Sequence, residues 1–352
     1  MAAADTSTLD YPNHINASSS VDKDKQDFER LISIVVPVFF GLVCILGFIG
    51  NLLVIVVVLL IQKMRNTTNL LILNLAVADL LFIIICVPFT AELYAMPVWP
   101  FGNVWCKLYQ YLINVSVYVG AYTLVLIAID RYIAVVHPFK AITISTKKHC
   151  CGIICFVWFI ICIFNTPILY HYSEFHYVYN NEQRSTCLMV SSLENQNAGK
   201  VFYGCFFAFC YVIPLTMVCV IYGTMLKSLL HGAFPQDCKS AKNLQSERRV
   251  TKMVFCVIAV FAISWLPLQA IFMNQHFGTY PYSKANLAVK IASTCLAYMN
   301  SCMNPVLYVF MSKNFRKSFS KILSLGRVKF ARNGDSKRSS KGVTMETDEE
   351  GV

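Results

Sequence analysis

Seven long apolar blocks constrain this chain more than any other feature. They run Leu31–Ile61, Asn69–Tyr94, Trp105–Val136, Cys150–Leu169, Val201–Leu226, Met253–Met273 and Leu287–Met311. Each is near or above the roughly twenty residues an α-helix needs to cross about 30 Å of hydrocarbon. None shows the ten-residue alternation of a barrel strand. Hydrophobic residues make up 56% of the 352 and charged residues 14%, too little charge to cover a soluble domain of this length. The blocks predict an all-α membrane protein built as a seven-transmembrane helix bundle over residues 31–311. An extracellular amino-terminal tail, 1–30, is expected before it. A short amphipathic membrane-surface helix, 312–325, and a disordered cytoplasmic tail, 326–352, are expected after it.

Orientation follows from the basic residues. With Met1 outside, the outer segments hold 8 of the 30 Lys and Arg residues and the inner ones 22. That bias places the amino terminus outside and Val352 in the cytosol. The net charge of +11 is then mostly a cytoplasmic surface facing anionic lipid and a cytosolic partner, not a nucleic-acid site. Residues 1–27 are polar and acidic with no apolar core, so the first helix is expected to direct insertion. Asn16 opens a glycosylation sequon in the exposed segment. Of fifteen cysteines, Cys106 and Cys187 occupy the outer positions suited to a disulfide, while most others read as small buried apolar side chains. No metal-ligand spacing stands out.

Polar residues inside apolar blocks are the clues to function. Asp79 lies mid-helix, where an unpaired carboxylate is costly and an inward-facing site is the default inference. Asn51, Asn300, Ser301 and Asn304 are candidate partners. Such oxygens form a water network, a hard-cation site suited to sodium, or a purely structural cluster. Asp130-Arg131-Tyr132 ends the third block, and Glu247 opens the sixth at the same depth. A bond from Arg131 to Glu247 would give the bundle two arrangements; an interfacial charge cluster is the alternative. Pro88, Pro214, Pro267 and Pro305 interrupt helices, with Phe261 and Trp265 beside Pro267. His137, His171 and His176 share no nucleophile-and-base arrangement, which argues against an enzyme. The halves do not repeat, which argues against a transporter.

Taken in order, these motifs resemble a rhodopsin-like G-protein-coupled receptor over about Pro37–Phe319. The match rests on Gly50-Asn51, Leu75 through Asp79, Cys106, Asp130-Arg131-Tyr132, Trp158, Pro214 with Tyr222, Ser264-Trp265-Leu266-Pro267 and Asn304-Pro305-Val306-Leu307-Tyr308. The resemblance implies no catalytic activity and a Cys106–Cys187 disulfide. It implies Arg131 as the arginine met by the G protein, Tyr222 and Tyr308 as inward-swinging residues, and Trp265 as the transmitter of ligand contact. It also implies a sodium ion, acting as an allosteric modulator, at Asp79, Asn51, Ser301 and Asn304. Gly120 departs from the serine of many relatives, and Ser116 one turn above is the candidate compensation. Ile113 stands where amine receptors place an aspartate, and Tyr298 where opsins place the retinal lysine.

Further stretches are similar to peptide receptors of the galanin and insect allatostatin-A type. They are Met64 through Asn74, Val87-Pro-Phe89, Trp99-Pro-Phe-Gly102, Leu296-Ala-Tyr298 and Lys313 through Lys317. The allatostatin likeness implies an amidated peptide ending in Phe-Gly-Leu, with a galanin-like ligand as the alternative. Aromatic walls and uncharged hydrogen-bonding groups suit such an end. Tyr94, Gln110, Asn114, Gln269, Phe272, Asn274 and Tyr298 are the expected contacts, with Glu92 and Glu194 near the mouth. The expected partners are a heterotrimeric G protein, inhibitory by likeness, then receptor kinase and arrestin acting on Ser336, Ser339, Ser340, Thr344 and Thr347. The expected location is the plasma membrane.

Overall fold

The computed structural model describes residues 18–179, 181–230, 241–281, 283–322 and 324, with the side chains of 18–25, 229–230 and 241–249 outside that set. Six of its helices are long and apolar enough to cross a membrane: Gln26–Leu60, Thr67–Ala95, Gly102–Val136, Lys147–His171, Gln196–Ser228 and Val250–Phe277. A seventh, Lys284–Met311, has the length at 28 residues but is diluted by polar side chains. Asn300, Ser301 and Asn304 of that helix are all buried. Its polarity therefore faces the bundle, where partners exist, and not lipid. The seventh helix is where the polar site lies.

The helices form one bundle around a continuous apolar core. The third helix is the most buried and packs against the second, fourth, fifth and sixth; the fourth is peripheral. The first and seventh helices approach closely at Gly50, where an added Cβ would lie 3.0 Å from Pro305. Apolar attraction between helices is weak in a bilayer, so packing and interhelical hydrogen bonds must hold the bundle. Asn74 is one such tie. Its amide donates to Thr123 Oγ1 at 2.8 Å, and its carbonyl accepts from Trp158 Nε1 at 2.9 Å, joining the second, third and fourth helices.

Helix ends obey local chemistry. The side chains of Asn66, Thr146 and Ser283 each cap a helix start by accepting a backbone N–H. The first helix runs from Ser18 to Leu60, so helix already spans the residue at which the bundle is expected to begin. Pro37 is a further proline within it. Two of the expected proline disturbances take one form. A π-helical turn, Phe82–Cys86, precedes Pro88, and another, Phe207–Val212, precedes Pro214. Each wide turn makes room for a ring that would clash with the carbonyl four residues back.

The second outer loop is not irregular. Tyr172–Tyr179 pairs antiparallel with Glu182–Met189, Tyr172 opposite Met189 and Glu174 opposite Cys187. Cys187 is bonded to Cys106 across 81 residues of sequence. Among the described residues this hairpin is the one addition to the all-α expectation. Trp99 ties the first outer loop to it, its backbone N–H donating to Ser185 O at 3.1 Å and its indole to Gly102 O at 3.0 Å. Gly102 sits at φ +72°, a conformation open to glycine and strained for other side chains.

Residues 313–322 are helical after the seventh helix, as expected. Their apolar face differs from the expectation. Phe315 and Phe319, 1% and 5% exposed, are buried in the bundle core and do not lie against lipid, with Phe315 stacked on Tyr308 at 5.5 Å. Aromatic stacking beneath the seventh helix outcompetes the lipid surface for these rings. Leu323 and the tail from residue 325 lie outside the described residues, as does Asn16.

Candidate functional site: an outer cavity coupled to two buried polar clusters

The outer third of the bundle encloses a cavity of about 180 Å³ beneath the hairpin. Of the expected contacts, Tyr94, Gln110, Asn114, Phe272 and Tyr298 line it. Gln269 and Asn274 do not. Gln269 is 1% exposed, turned into the helix packing with its carbonyl oxygen unpartnered among the described residues, and Asn274 is exposed. The walls are strongly aromatic, adding Tyr109, Tyr203, Phe206 and Trp265. Tyr298 and Tyr109 are held by one hydroxyl, Thr90 Oγ1, at 3.1 and 2.6 Å.

Lys290 was not anticipated. It is the one charged residue among the described residues that line this cavity, its Nζ donating to Gln275 Oε1 at 3.2 Å. The cavity is therefore not lined by uncharged groups alone. A larger outer recess of about 500 Å³ adjoins it, sharing Leu93, Tyr94 and Thr186. Glu92 lines that recess as expected of a residue at the mouth; Glu194 lines neither space and is exposed. The start of the first helix reaches this recess, where Glu29 lies 4.0 Å from Arg184 of the hairpin.

The cavity floor is Trp265. Its ring lies 6.2 Å from that of Phe261, one turn inward on the helix that holds Pro267. Tyr211 bridges the fifth and sixth helices here, its hydroxyl donating to Ala262 O at 2.8 Å. Pro267 supplies no N–H to the carbonyl of Ile263, which leaves the helix with a yielding point beside this contact.

Below lies the Asp79 cluster. Asn304 Nδ2 donates to Asp79 Oδ2 at 2.8 Å. Asn51 Nδ2 donates to Gly47 O and to Ser301 O, both at 2.9 Å, joining the first and seventh helices. The carbonyl oxygens of Asn51, Asn300 and Asn304 are buried without a hydrogen-bond donor among the described residues. One carboxylate among several unsatisfied oxygens is a fit donor set for a hard cation. At Gly120 an added Cβ would meet nothing nearer than Leu75 Cδ1 at 3.9 Å, so space rather than a ligand stands there. Ser116 is buried and makes no side-chain hydrogen bond among the described residues.

At the cytoplasmic end, Arg131 and Asp130 form a salt bridge, Nη2 to Oδ2 at 2.7 Å, with both residues buried. Thr68 of the second helix completes it. Its hydroxyl donates to Asp130 Oδ2 at 2.6 Å and accepts from Arg131 Nη2. Ser145 Oγ donates to Asp130 Oδ1 at 3.4 Å. Thr68 and Ser145 were missed by sequence reasoning. The Glu247 side chain lies outside the described residues. Tyr132 rests on His137, ring centroids 5.7 Å apart. Tyr222 packs on Phe255, and the Tyr222 and Tyr308 hydroxyls are buried without partners among the described residues. The seventh-helix motif packs tightly, with Asn304, Pro305 and Tyr308 all buried.

Residues 50–308 match the family described as the seven-transmembrane receptor (rhodopsin family). The chain is 43% identical over 318 residues to an allatostatin-A receptor of Bombyx mori, covering 90% of this chain and 87% of that protein. It is 36% identical to galanin receptor 2b of Danio rerio, covering 91% and 81%. It is 35% identical to galanin receptor type 1 of Homo sapiens, covering 88% and 87%. These relatives are receptors, not enzymes. The chain belongs to the rhodopsin family of seven-transmembrane, G-protein-coupled receptors.

Proposed function

We propose that this receptor is activated by an allatostatin-A type neuropeptide ending in Phe-Gly-Leu-amide, and that it activates a heterotrimeric G protein of the inhibitory class. The observation that carries the reading is the aromatic cavity whose floor is Trp265. Tyr94, Tyr203, Phe272 and Tyr298 suit a phenylalanine ring, and Gln110 and Thr294 offer hydrogen bonds to an amide end. The similarity to the silkworm receptor favours this peptide class; the galanin receptors make a galanin-like ligand the second reading.

The mechanism follows the stack of sites. A ligand pressing on Trp265 shifts Phe261 and loads the sixth helix at Pro267. The inner end of that helix swings outward, and Arg131 leaves Asp130 and Thr68 to meet the G protein. Tyr222 and Tyr308, whose hydroxyls have no partner among the described residues, are the residues that move into the vacated space. Coupling is reciprocal, so bound G protein raises peptide affinity. Sodium, when bound by Asp79 with Asn51, Ser301 and Asn304, would supply positive charge that favours the inactive arrangement. In the cell the receptor sits in the plasma membrane, amino terminus outside, glycosylated at Asn16, with its tail phosphorylated by receptor kinase for arrestin.

The test is calcium release through a promiscuous G protein against a panel of Phe-Gly-Leu-amide peptides, galanin and somatostatin-like peptides. A nanomolar response restricted to the first group is the expected result. Silence to it with a response to galanin transfers the assignment to the second reading.

A further inference from the structure

Lys290 brings a cation into the cavity beneath the hairpin, and no Asp or Glu stands among the described residues that line it. The outer recess is different. It carries Glu29, Glu92, Arg30, Arg184 and Lys284, so both signs are present, and Arg184 there lies 4.0 Å from Glu29 and 3.2 Å from Glu182. A charge beside its opposite presents little field to a ligand. Lys290 keeps its field, because Gln275 of the sixth helix, at 3.2 Å, engages one of its three donors and neutralises nothing. Ile113 supplies no carboxylate from the third helix.

The depth of Lys290 decides what meets it. Lys290, Thr294 and Tyr298 fall four residues apart and line the same cavity, so they share one face of the seventh helix. That helix begins at Lys284 on the outer side, which puts Lys290 nearest the mouth and Tyr298 two turns deeper, about 12 Å along the axis. Three extended residues span about 10 Å. A Phe-Gly-Leu-amide end seated against the deep aromatic walls therefore brings the residue just before it to the level of Lys290. The ammonium is half-buried there, where an ion pair is screened less than at the surface.

We propose that Lys290 is the charge filter of this receptor: it pairs with an acidic or carbonyl-bearing side chain at the ligand residue preceding Phe-Gly-Leu-amide and rejects a basic one. Small cationic amines are refused by the same charge. The inference rests on the peptide reading above and names which ligand position that cavity inspects.

The experiment is a charge scan. Alanine-background peptides ending in Phe-Gly-Leu-amide carry Asp, Asn or Arg at the residue before Phe, and potency is read in cells matched for surface receptor. The expected order in the wild type is Asp over Asn over Arg, with about tenfold between the extremes. Lys290→Met should collapse the spread to under about twofold, and Lys290→Glu should invert the order; an effect of packing alone would lower all three peptides equally. Lys284→Gln should leave the order as in the wild type. A flat series from an active wild-type receptor overturns the filter alone, and silence to the whole series overturns the peptide reading together with it. An order that survives Lys290→Met, or one lost in Lys284→Gln, also refutes the role of Lys290. The wild-type series stands as a test even if a variant fails to reach the surface.

Discussion

Thr68 bridges the two charged residues at the cytoplasmic end, and its replacement by valine isolates that bridge. Valine keeps the shape and deletes the hydroxyl that donates to Asp130 Oδ2 at 2.6 Å. The Arg131–Asp130 salt bridge at 2.7 Å and the Ser145 contact remain. Hydrogen bonds to charged groups contribute about 1.5–3 kcal/mol in soluble proteins. Interhelical bonds in membranes average about 0.6 and reach about 1.7 kcal/mol. A buried bond to a carboxylate belongs near the upper membrane figure, so about 1 to 1.4 kcal/mol of inactive-state stability is lost. That corresponds to about a five- to tenfold shift in the equilibrium. From a minor active state near ~1%, the ligand-free active fraction rises to about 5–10%. The assay is nucleotide exchange on added G protein in membranes matched for receptor number, without peptide. Thr68→Ser should stay at the wild-type level because it keeps the donor. Wild-type basal exchange in Thr68→Val, or equal elevation in both variants, would refute the bridge as part of the inactive lock.

Other perturbations test the remaining sites. Asn74→Ala and Trp158→Phe should show a coupling of about 0.6–1.7 kcal/mol in a double-mutant unfolding cycle, and additive effects would deny the bond between them. Gln110→Ala should weaken peptide potency with surface expression unchanged; an unaltered concentration-response curve removes Gln110 from the contacts. Asp79→Asn should abolish any sodium dependence of agonist affinity, because the one carboxylate of the donor set is gone. Persistence of that dependence would place the ion elsewhere.

The helices were legible because each apolar block is long, and the Asp79 cluster because polarity inside such a block has few explanations. The Cys106–Cys187 pair was legible for a related reason, since it alone lay in suitable outer positions. The hairpin was harder to see: Tyr172–Tyr179 is rich in strand-forming residues, but its pairing depends on a partner strand and on the disulfide. Lys290 went unnoticed because it begins an apolar block, where lysine ordinarily marks an interface. Thr68 and Ser145 carry no signal of their own; two inner loops must fold before either meets Asp130. Phe315 and Phe319 show the right period for an amphipathic helix, but periodicity does not say whether protein or lipid receives the face.

The two π turns divide their helices into separately indexed halves. Each α-helical residue advances the face by about 100°, and a wide turn absorbs one residue without carrying that rotation onward. Below Phe82–Cys86 the second helix presents Asp79 and Asn74; above it, Thr90 and Tyr94. Below Phe207–Val212 the fifth presents Tyr222; above it, Phe202 and Phe206. Deleting one residue within either turn would restore plain helix and leave both halves facing as they do, whereas deleting one from the plain helix beside it would rotate the extracellular half by about 100° and carry its side chains off the cavity. The mouth that recognises a messenger and the base that speaks to the cell are thus joined by a swivel in the sequence, and either can be retuned without rewriting the other.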